Sequence, residues 1–361
     1  MVIEVAGWNL KSGEISEYYV SEERYWSLFN FVFSDGSRKR NSYKFGFIKS
    51  MLDNLFNGSE TDQGIYFTYE QLFAKFAENY WNLVVKYDLR QMRKDLRSEF
   101  SKIETILQSA VATNSVLEKL EFASIDAYQR NSIIKQVKVE CKKCVVGALY
   151  EDFEGTLYSF DLKADGLYVA PSAYEFMLKY KMEIEKLNYY SWAKFLEKIN
   201  SDNVLIRVID KLELATPKRA NLSIYRNILL KEFEECNCFY CGRRFHRSGS
   251  AHVDHFIPWS FVKDDRIWNF VLSCPQCNVK KSNRIPTREY IIRIENRNRI
   301  ICQNNNDLIQ AEFDGYTDNL IDRMWKYAKM SGIKEYNEFP TRRLSENNRQ
   351  AALEQSKKYA D

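Results

Sequence analysis

Four cysteines in two C-x-x-C pairs, Cys238/Cys241 and Cys274/Cys277, enclose an Asp-His dipeptide at Asp254-His255 and Asn269, and Asn278 directly follows the second pair. A C-x-x-C turn sets two thiolates on one tetrahedral ion, and two such turns supply the four soft ligands of a structural zinc. The spacing therefore predicts one zinc held by Cys238, Cys241, Cys274 and Cys277. Asp254 offers a hard oxygen of the kind Mg²⁺ or Mn²⁺ takes. The adjacent His255 titrates near neutral pH. A divalent ion beside such a base is what metal-assisted hydrolysis requires. In this reading His255 is the general base that takes a proton from water, a role that contributes typically about 10²–10⁴-fold. The chain has three histidines, and two of them, His252 and His255, fall within one tetrapeptide.

The remaining cysteines fit less well. Cys236 stands two residues before Cys238, and C-x-C is a poorer knuckle than the C-x-x-C that follows it, so Cys236 is left out. Cys141 and Cys144 have the right spacing but no second pair and no histidine nearby, and read as ordinary thiols. Cys302 receives no role.

The runs V-D-H-F-I-P-W-S-F-V-K-D-D from Val253, W-N-F-V-L from Trp268 and C-N-V-K-K-S-N-R-I-P from Cys277 resemble an HNH endonuclease domain of the ββα-metal type. The form is the zinc-stapled one, and the runs are also similar to the HNH domain of Cas9. The likeness spans only about Cys236 to Pro286. It implies divalent-metal-dependent hydrolysis of phosphodiester bonds, in double-stranded DNA before other nucleic acids, leaving 5′-phosphate and 3′-hydroxyl ends. Asn269 occupies the middle position of the signature, where the residue pins the loop and orients the base. Asn278 stands where the family name expects a final histidine, as in H-N-N variants, so Asp254 and Asn278 would be the protein ligands of the catalytic ion. On a helix starting near Pro275, Asn278, Lys281 and Ser282 share a face, which puts Lys281 near the metal-bound phosphate. Arg243 and Arg244 after the first knuckle, and Lys280 after the second, stand where phosphates would lie. Trp259 and Trp268 are expected in the core, and a contact of His252 with phosphate or metal stays open.

One geometric demand accompanies this reading. Neighbouring side chains on a regular strand point to opposite faces. Asp254 and His255 can serve one site only if the strand frays or bulges close to Phe256, near Pro258.

At 361 residues the chain predicts two or three compact units. A composition of 45% hydrophobic and 28% charged residues is that of a soluble globular protein. No apolar run is long enough for a membrane span, and cysteines in metal-type spacing suit a reducing cytosol. The net charge of +4 is too mild to establish nucleic-acid binding by itself.

Alternation around Val2–Val5 and Phe29–Phe33 predicts short strands. Helices are expected from Tyr43, over Tyr69–Leu83, Arg90–Ala112 and Ser115–Lys138, then over Ser172–Leu187, Ser191–Ile199, Leu222–Glu235, Arg288–Ile301 and Thr317–Met330. Between them, Val145–Tyr150, Thr156–Leu162 and Leu167–Val169 read as a small meander. The fold class is α+β: a mostly helical N-terminal region with short strands (residues 1–205), then the nuclease region (206–361, core 236–286). The N-terminal region is expected to sense a protein partner, a signal or nucleic acid, and bacterial restriction or anti-phage defence is the context by analogy alone. Two rival readings are a non-catalytic zinc module that binds nucleic acid and an RNase using the same residues.

Overall fold

The computed structural model describes residues 9–94, 99–214, 222–232, 237–245, 250–303, 307–313, 316–317 and 319–339. The chain divides into two units. One comprises Met1–Lys218 with Val262–Asp264 and Asp314–Thr317, the other Arg219–Phe261, Asp265–Phe313 and Asp318–Asp361. The class is α+β.

The first unit is helical around a small antiparallel sheet. Its helices span Glu22–Phe33, Tyr43–Asn54, Tyr69–Trp81, Lys102–Thr113, Ala127–Asp152, Pro171–Lys179 and Lys181–Glu197. Five strands, β1 (Ser12–Gly13), β2 (Ser59–Thr61), β3 (Gly64–Thr68), β4 (Tyr158–Asp161) and β5 (Gly166–Val169), pair in the order β1-β4-β5-β3-β2. Capping fixes several helix starts. Thr68 and Gln71 form a reciprocal capping box, as do Ser101 and Glu104, each satisfying two otherwise orphaned N–H groups.

The helix expected over Arg90–Ala112 begins only at Lys102, where Ser101 caps it, because Met92 forms a bridge with Asn41 instead. Two further expectations fail for identifiable reasons. Phe29–Phe33 is helical, not a strand: Tyr25, Leu28, Phe29 and Val32 form a buried stripe at helical spacing. Ser21 caps that helix by accepting from the Arg24 N–H, so the apparent period-two alternation loses to the 3.6-residue stripe. Val145–Tyr150 is the end of the long helix Ala127–Asp152, not a strand. Its Val145, Val146 and Leu149 are buried at i, i+1 and i+4, a pattern shared by short strands and buried helix ends. Strands β2 and β3 were not anticipated, and Val2–Val5 lies outside the described residues.

In the second unit, β6 (His252–His255) and β7 (Phe270–Ser273) form an antiparallel pair, registered from His252 opposite Ser273 to His255 opposite Phe270. The helix Pro275–Lys281 follows directly, completing a ββα unit. Pro275 occupies its first turn, where its missing N–H costs no hydrogen bond. Helices Ser223–Glu232, Glu289–Cys302 and Leu320–Met330 belong to the same unit, and Ile285–Pro286 pairs in parallel with Glu335–Tyr336. Among the described residues no helix is long and apolar enough to cross a membrane.

Candidate active site and zinc centre

The four cysteines expected to bind zinc converge. Their Sγ atoms lie within 4.8 Å of one another, and all four residues are buried. Cys241 Sγ and Cys274 Sγ are 3.9 Å apart. A tetrahedral zinc with Zn–S of about 2.3 Å implies S···S separations of about 3.8 Å, so the cluster has the dimensions of an S₄ zinc site. The first knuckle is shaped by Gly242, whose φ of +67° suits glycine and whose N–H donates to the Cys238 carbonyl at 2.8 Å. Burial pushes the Cys238 thiol up to about 11 and raises Cys277 further, so the metal-free cluster keeps these protons. A divalent cation reverses that balance by making thiolate the favoured form. Cys141 and Cys144 lie one turn apart on the helix Ala127–Asp152, the first buried and the second exposed, away from any such cluster among the described residues. Cys236 lies outside the described residues.

The strand β6 ends at His255 and the chain bends at Phe256, which meets the demand that Asp254 and His255 face one site. Both line a cleft of about 560 Å³ together with Pro258, Trp259, Asn278 and Ser282. The bend is pinned by Asn269. Its side-chain oxygen accepts from the Ile257 N–H at 2.9 Å and its amide donates to the Ile257 carbonyl at 3.0 Å. The Phe256 N–H donates to the Asn269 carbonyl at 2.7 Å. Asn269 is fully buried, as expected of a residue that pins the loop carrying the base.

His255 is almost fully buried, and its Nε2 lies 2.7 Å from Asp265 Oδ1. Its ring meets the edge of Phe270, its partner in the strand register, with centroids 4.8 Å apart. The carboxylate as hydrogen-bond acceptor fixes the tautomer with a proton on Nε2. That leaves Nδ1, which makes no hydrogen bond among the described residues, as the nitrogen that can accept a proton.

Asp254 is held on both oxygens. The Tyr240 hydroxyl donates to Oδ2 at 2.6 Å, and Lys281 Nζ lies 3.3 Å from Oδ1 and 3.1 Å from Oδ2. Burial and the neighbouring carboxylate hold the Tyr240 hydroxyl well above its usual range, so it remains a donor. Asn278 sits across the cleft, its amide nitrogen 3.4 Å from His252 Nδ1.

Lys281 departs from expectation. It does not lie open to a phosphate: it has no exposed surface, and it pairs with Asp254 and donates to the His255 carbonyl at 2.7 Å. Desolvating an ammonium is costly unless it is paired, and the Asp254 carboxylate is within reach. Arg243 and Arg244 are exposed on the first knuckle and are not among the residues lining the cleft, Arg243 approaching Gln276 instead. Lys280 is exposed at the end of the helix Pro275–Lys281. Trp268 is buried in the core as expected, whereas Trp259 lines the cleft.

Three contributors were not anticipated: Asp265, Tyr240 and the pair Arg297-Asn298. The last two are buried on helix Glu289–Cys302. Arg297 donates to the Phe270 carbonyl and Asn298 to the Trp268 carbonyl, so they brace the turn that presents Asn269. A signal for them existed. Tyr290, Ile291, Ile294, Arg297, Asn298 and Ile301 form the buried stripe of that helix, and two polar residues on an apolar stripe require buried partners.

Residues 238–284 match the family model described as HNH endonuclease. This C-terminal segment is therefore an HNH domain, with a four-cysteine cluster that fits its zinc-stapled form. An HNH domain points to nuclease chemistry in general and implies nucleic acid as the substrate. No curated protein and no solved structure matches the chain.

Proposed function

We propose that this protein is a divalent-metal-dependent endonuclease that hydrolyses phosphodiester bonds in DNA, with His255 as general base. The observation that carries this reading is the geometry around His255. Asp265 holds one ring nitrogen while Asn269 fixes the backbone that presents the ring, and Asp254 and Asn278 line the same cleft. A binding module has no use for a buried histidine oriented by a carboxylate beside a second carboxylate.

The donor set suits a hard cation: one carboxylate and one amide oxygen, with room in the cleft for water. Asp254 and Asn278 would hold Mg²⁺ or Mn²⁺. When bound, the ion polarises the scissile phosphate and stabilises charge on the leaving oxygen. His255 Nδ1 takes the proton of the attacking water, and the resulting imidazolium is stabilised by Asp265. Lys281 neutralises Asp254 in the metal-free protein and fixes its rotamer, so it acts as a positioning residue. Arg243, Arg244 and Lys280, exposed on the zinc knuckles, are placed to meet flanking phosphates. A role in restriction or anti-phage defence, with the N-terminal unit sensing a partner or signal, is consistent with this assignment.

A substrate panel tests it: supercoiled plasmid, linear duplex, single-stranded DNA and structured RNA, each with Mg²⁺, Mn²⁺ or Ca²⁺. The expected result is cleavage of DNA with Mg²⁺ or Mn²⁺, lost in Asp254→Asn and weakened in Asn278→Ala without loss of zinc. Cleavage of RNA alone would replace the DNA assignment. Metal-independent cleavage would remove the role given to Asp254 and Asn278.

A further inference from the structure

The first unit carries a cleft of about 830 Å³ whose walls are strongly basic. One wall is the loop after helix Glu22–Phe33, bearing Arg38, Lys39 and Arg40, extended by Arg93. A backbone bridge between Asn41 and Met92 and a bond from the Arg93 N–H to the Arg40 carbonyl fix the two chain segments side by side. The other wall is the end of helix Lys181–Glu197, where Tyr190, Lys194 and Lys198 recur every four residues and so share one face. The only carboxylate in the lining is Asp35, which pairs with Lys198 at 3.0 Å.

The balance of charge is unusual for a solvated surface. Arg38 and Arg93 make no side-chain hydrogen bond or ion pair among the described residues. Lys39 is half-buried and bonded only to the Ser34 and Ser37 carbonyls. Burial and the nearby Lys44 bring its pKa down to about 8, although Asp152 and Asp35 act in the opposite direction. Tyr190 stands 57% exposed in the same cleft. The Arg38–Arg40 loop also lines a second cleft, of about 1080 Å³, where Lys11, Lys44 and Lys143 stand among the carboxylates Glu151, Asp152 and Glu154. The loop is thus a cationic ridge with a basic cleft on one side and a cleft of mixed charge on the other.

We propose that this ridge and cleft bind the phosphate backbone of nucleic acid, giving the first unit a binding surface of its own. Cations spaced along a groove with an exposed aromatic ring are what a phosphodiester chain recognises. Unlike a pocket for one small anion, the basic cleft spaces Arg38, Lys39, Arg40 and Arg93 along one wall and Lys194 and Lys198 along the other. The inference rests on the nucleic-acid substrate proposed above, and its test separates the two.

The test uses full-length, zinc-loaded protein carrying His255→Ala, so that the probe stays uncut. Binding of fluorescein-labelled 30-nucleotide single-stranded and 30-base-pair duplex DNA is followed by anisotropy across a salt series, with and without Arg38→Gln/Arg93→Gln. Both residues are exposed, and an unchanged circular dichroism spectrum would confirm that the fold is intact. The expected result is a dissociation constant at least tenfold weaker. The slope of log affinity against log salt should also fall, by about 1.8 if the ridge holds duplex or about 1.4 if it holds a single strand. Arg38→Lys/Arg93→Lys should restore most of the slope, which a purely structural role for the guanidiniums would not allow. Unchanged affinity and slope for both probes would overturn the proposal. So would ATP binding that is lost in the glutamine variant while oligonucleotide binding stays the same. A chain that cuts DNA but shows no change in the variant sinks this inference alone, and one that binds through the ridge but cuts nothing sinks only the nuclease assignment.

Discussion

Replacing Asn269 by alanine should loosen the loop that carries the base while leaving every candidate catalytic side chain in place. Asn269 and Ile257 are both fully buried, and the two exchange hydrogen bonds of 2.9 and 3.0 Å through the asparagine side chain. The substitution strands the Ile257 N–H and carbonyl in a dry interior. Each unsatisfied group costs about 1–3 kcal/mol, so the pair is worth about 2–6 kcal/mol, a large part of a typical domain's stability. The Phe256 N–H offers an internal reporter, because its acceptor is the Asn269 backbone carbonyl, which alanine retains. Its exchange with deuterium therefore measures loosening of the bend, not removal of a partner. At the lower limit of 2 kcal/mol, exchange at Phe256 should accelerate about 30-fold. Zinc content should be unchanged and nuclease turnover should fall. If Phe256 stays protected to within about threefold and the thermal midpoint does not move, Asn269 does not pin the bend and the reasoning fails.

Two further outcomes follow from the same geometry. Cys277→Ser should abolish zinc binding and unfold the ββα unit locally, while Cys141→Ser leaves one zinc per chain; metal analysis showing two zincs in the parent would contradict the single S₄ site. Lys281→Met should destabilise the protein by about 3–5 kcal/mol, since it leaves the buried Asp254 carboxylate with Tyr240 alone. A loss below about 1 kcal/mol in denaturant unfolding would instead fit a lysine that serves only to contact phosphate.

The chemistry of the site was more legible in the sequence than its scaffold. Two C-x-x-C pairs carry their geometry in their spacing, because a thiolate knuckle is a local structure, and the four sulfurs do converge. The demand that the strand end by Phe256 also came from a local rule, the alternation of side chains, and β6 ends at His255. Asp265 was not found because nothing local marks it: it lies ten residues after His255, and an aspartate before a helical turn is usually a solvated cap. Lys281 was assigned the right face of its helix and the wrong environment, since helical periodicity gives direction but not depth. The misread segments of the first unit share a cause. In Phe29–Phe33 and Val145–Tyr150 closely spaced apolar residues satisfy strand and helix patterns at once, and the packing that decides between them involves residues far apart in sequence, such as the Phe29–Phe153 ring contact.

The central claim, that His255 is the base of a metal-dependent nuclease, is tested most directly by His255→Ala. The measurement is the single-turnover rate on plasmid DNA with saturating Mg²⁺ or Mn²⁺, alongside zinc content and DNA affinity for the same preparation. Cleavage should fall by at least about 100-fold, with one zinc retained and affinity nearly unchanged, because only the proton acceptor is lost. Cleavage above about a tenth of the parent rate in a folded, zinc-loaded variant would contradict that claim.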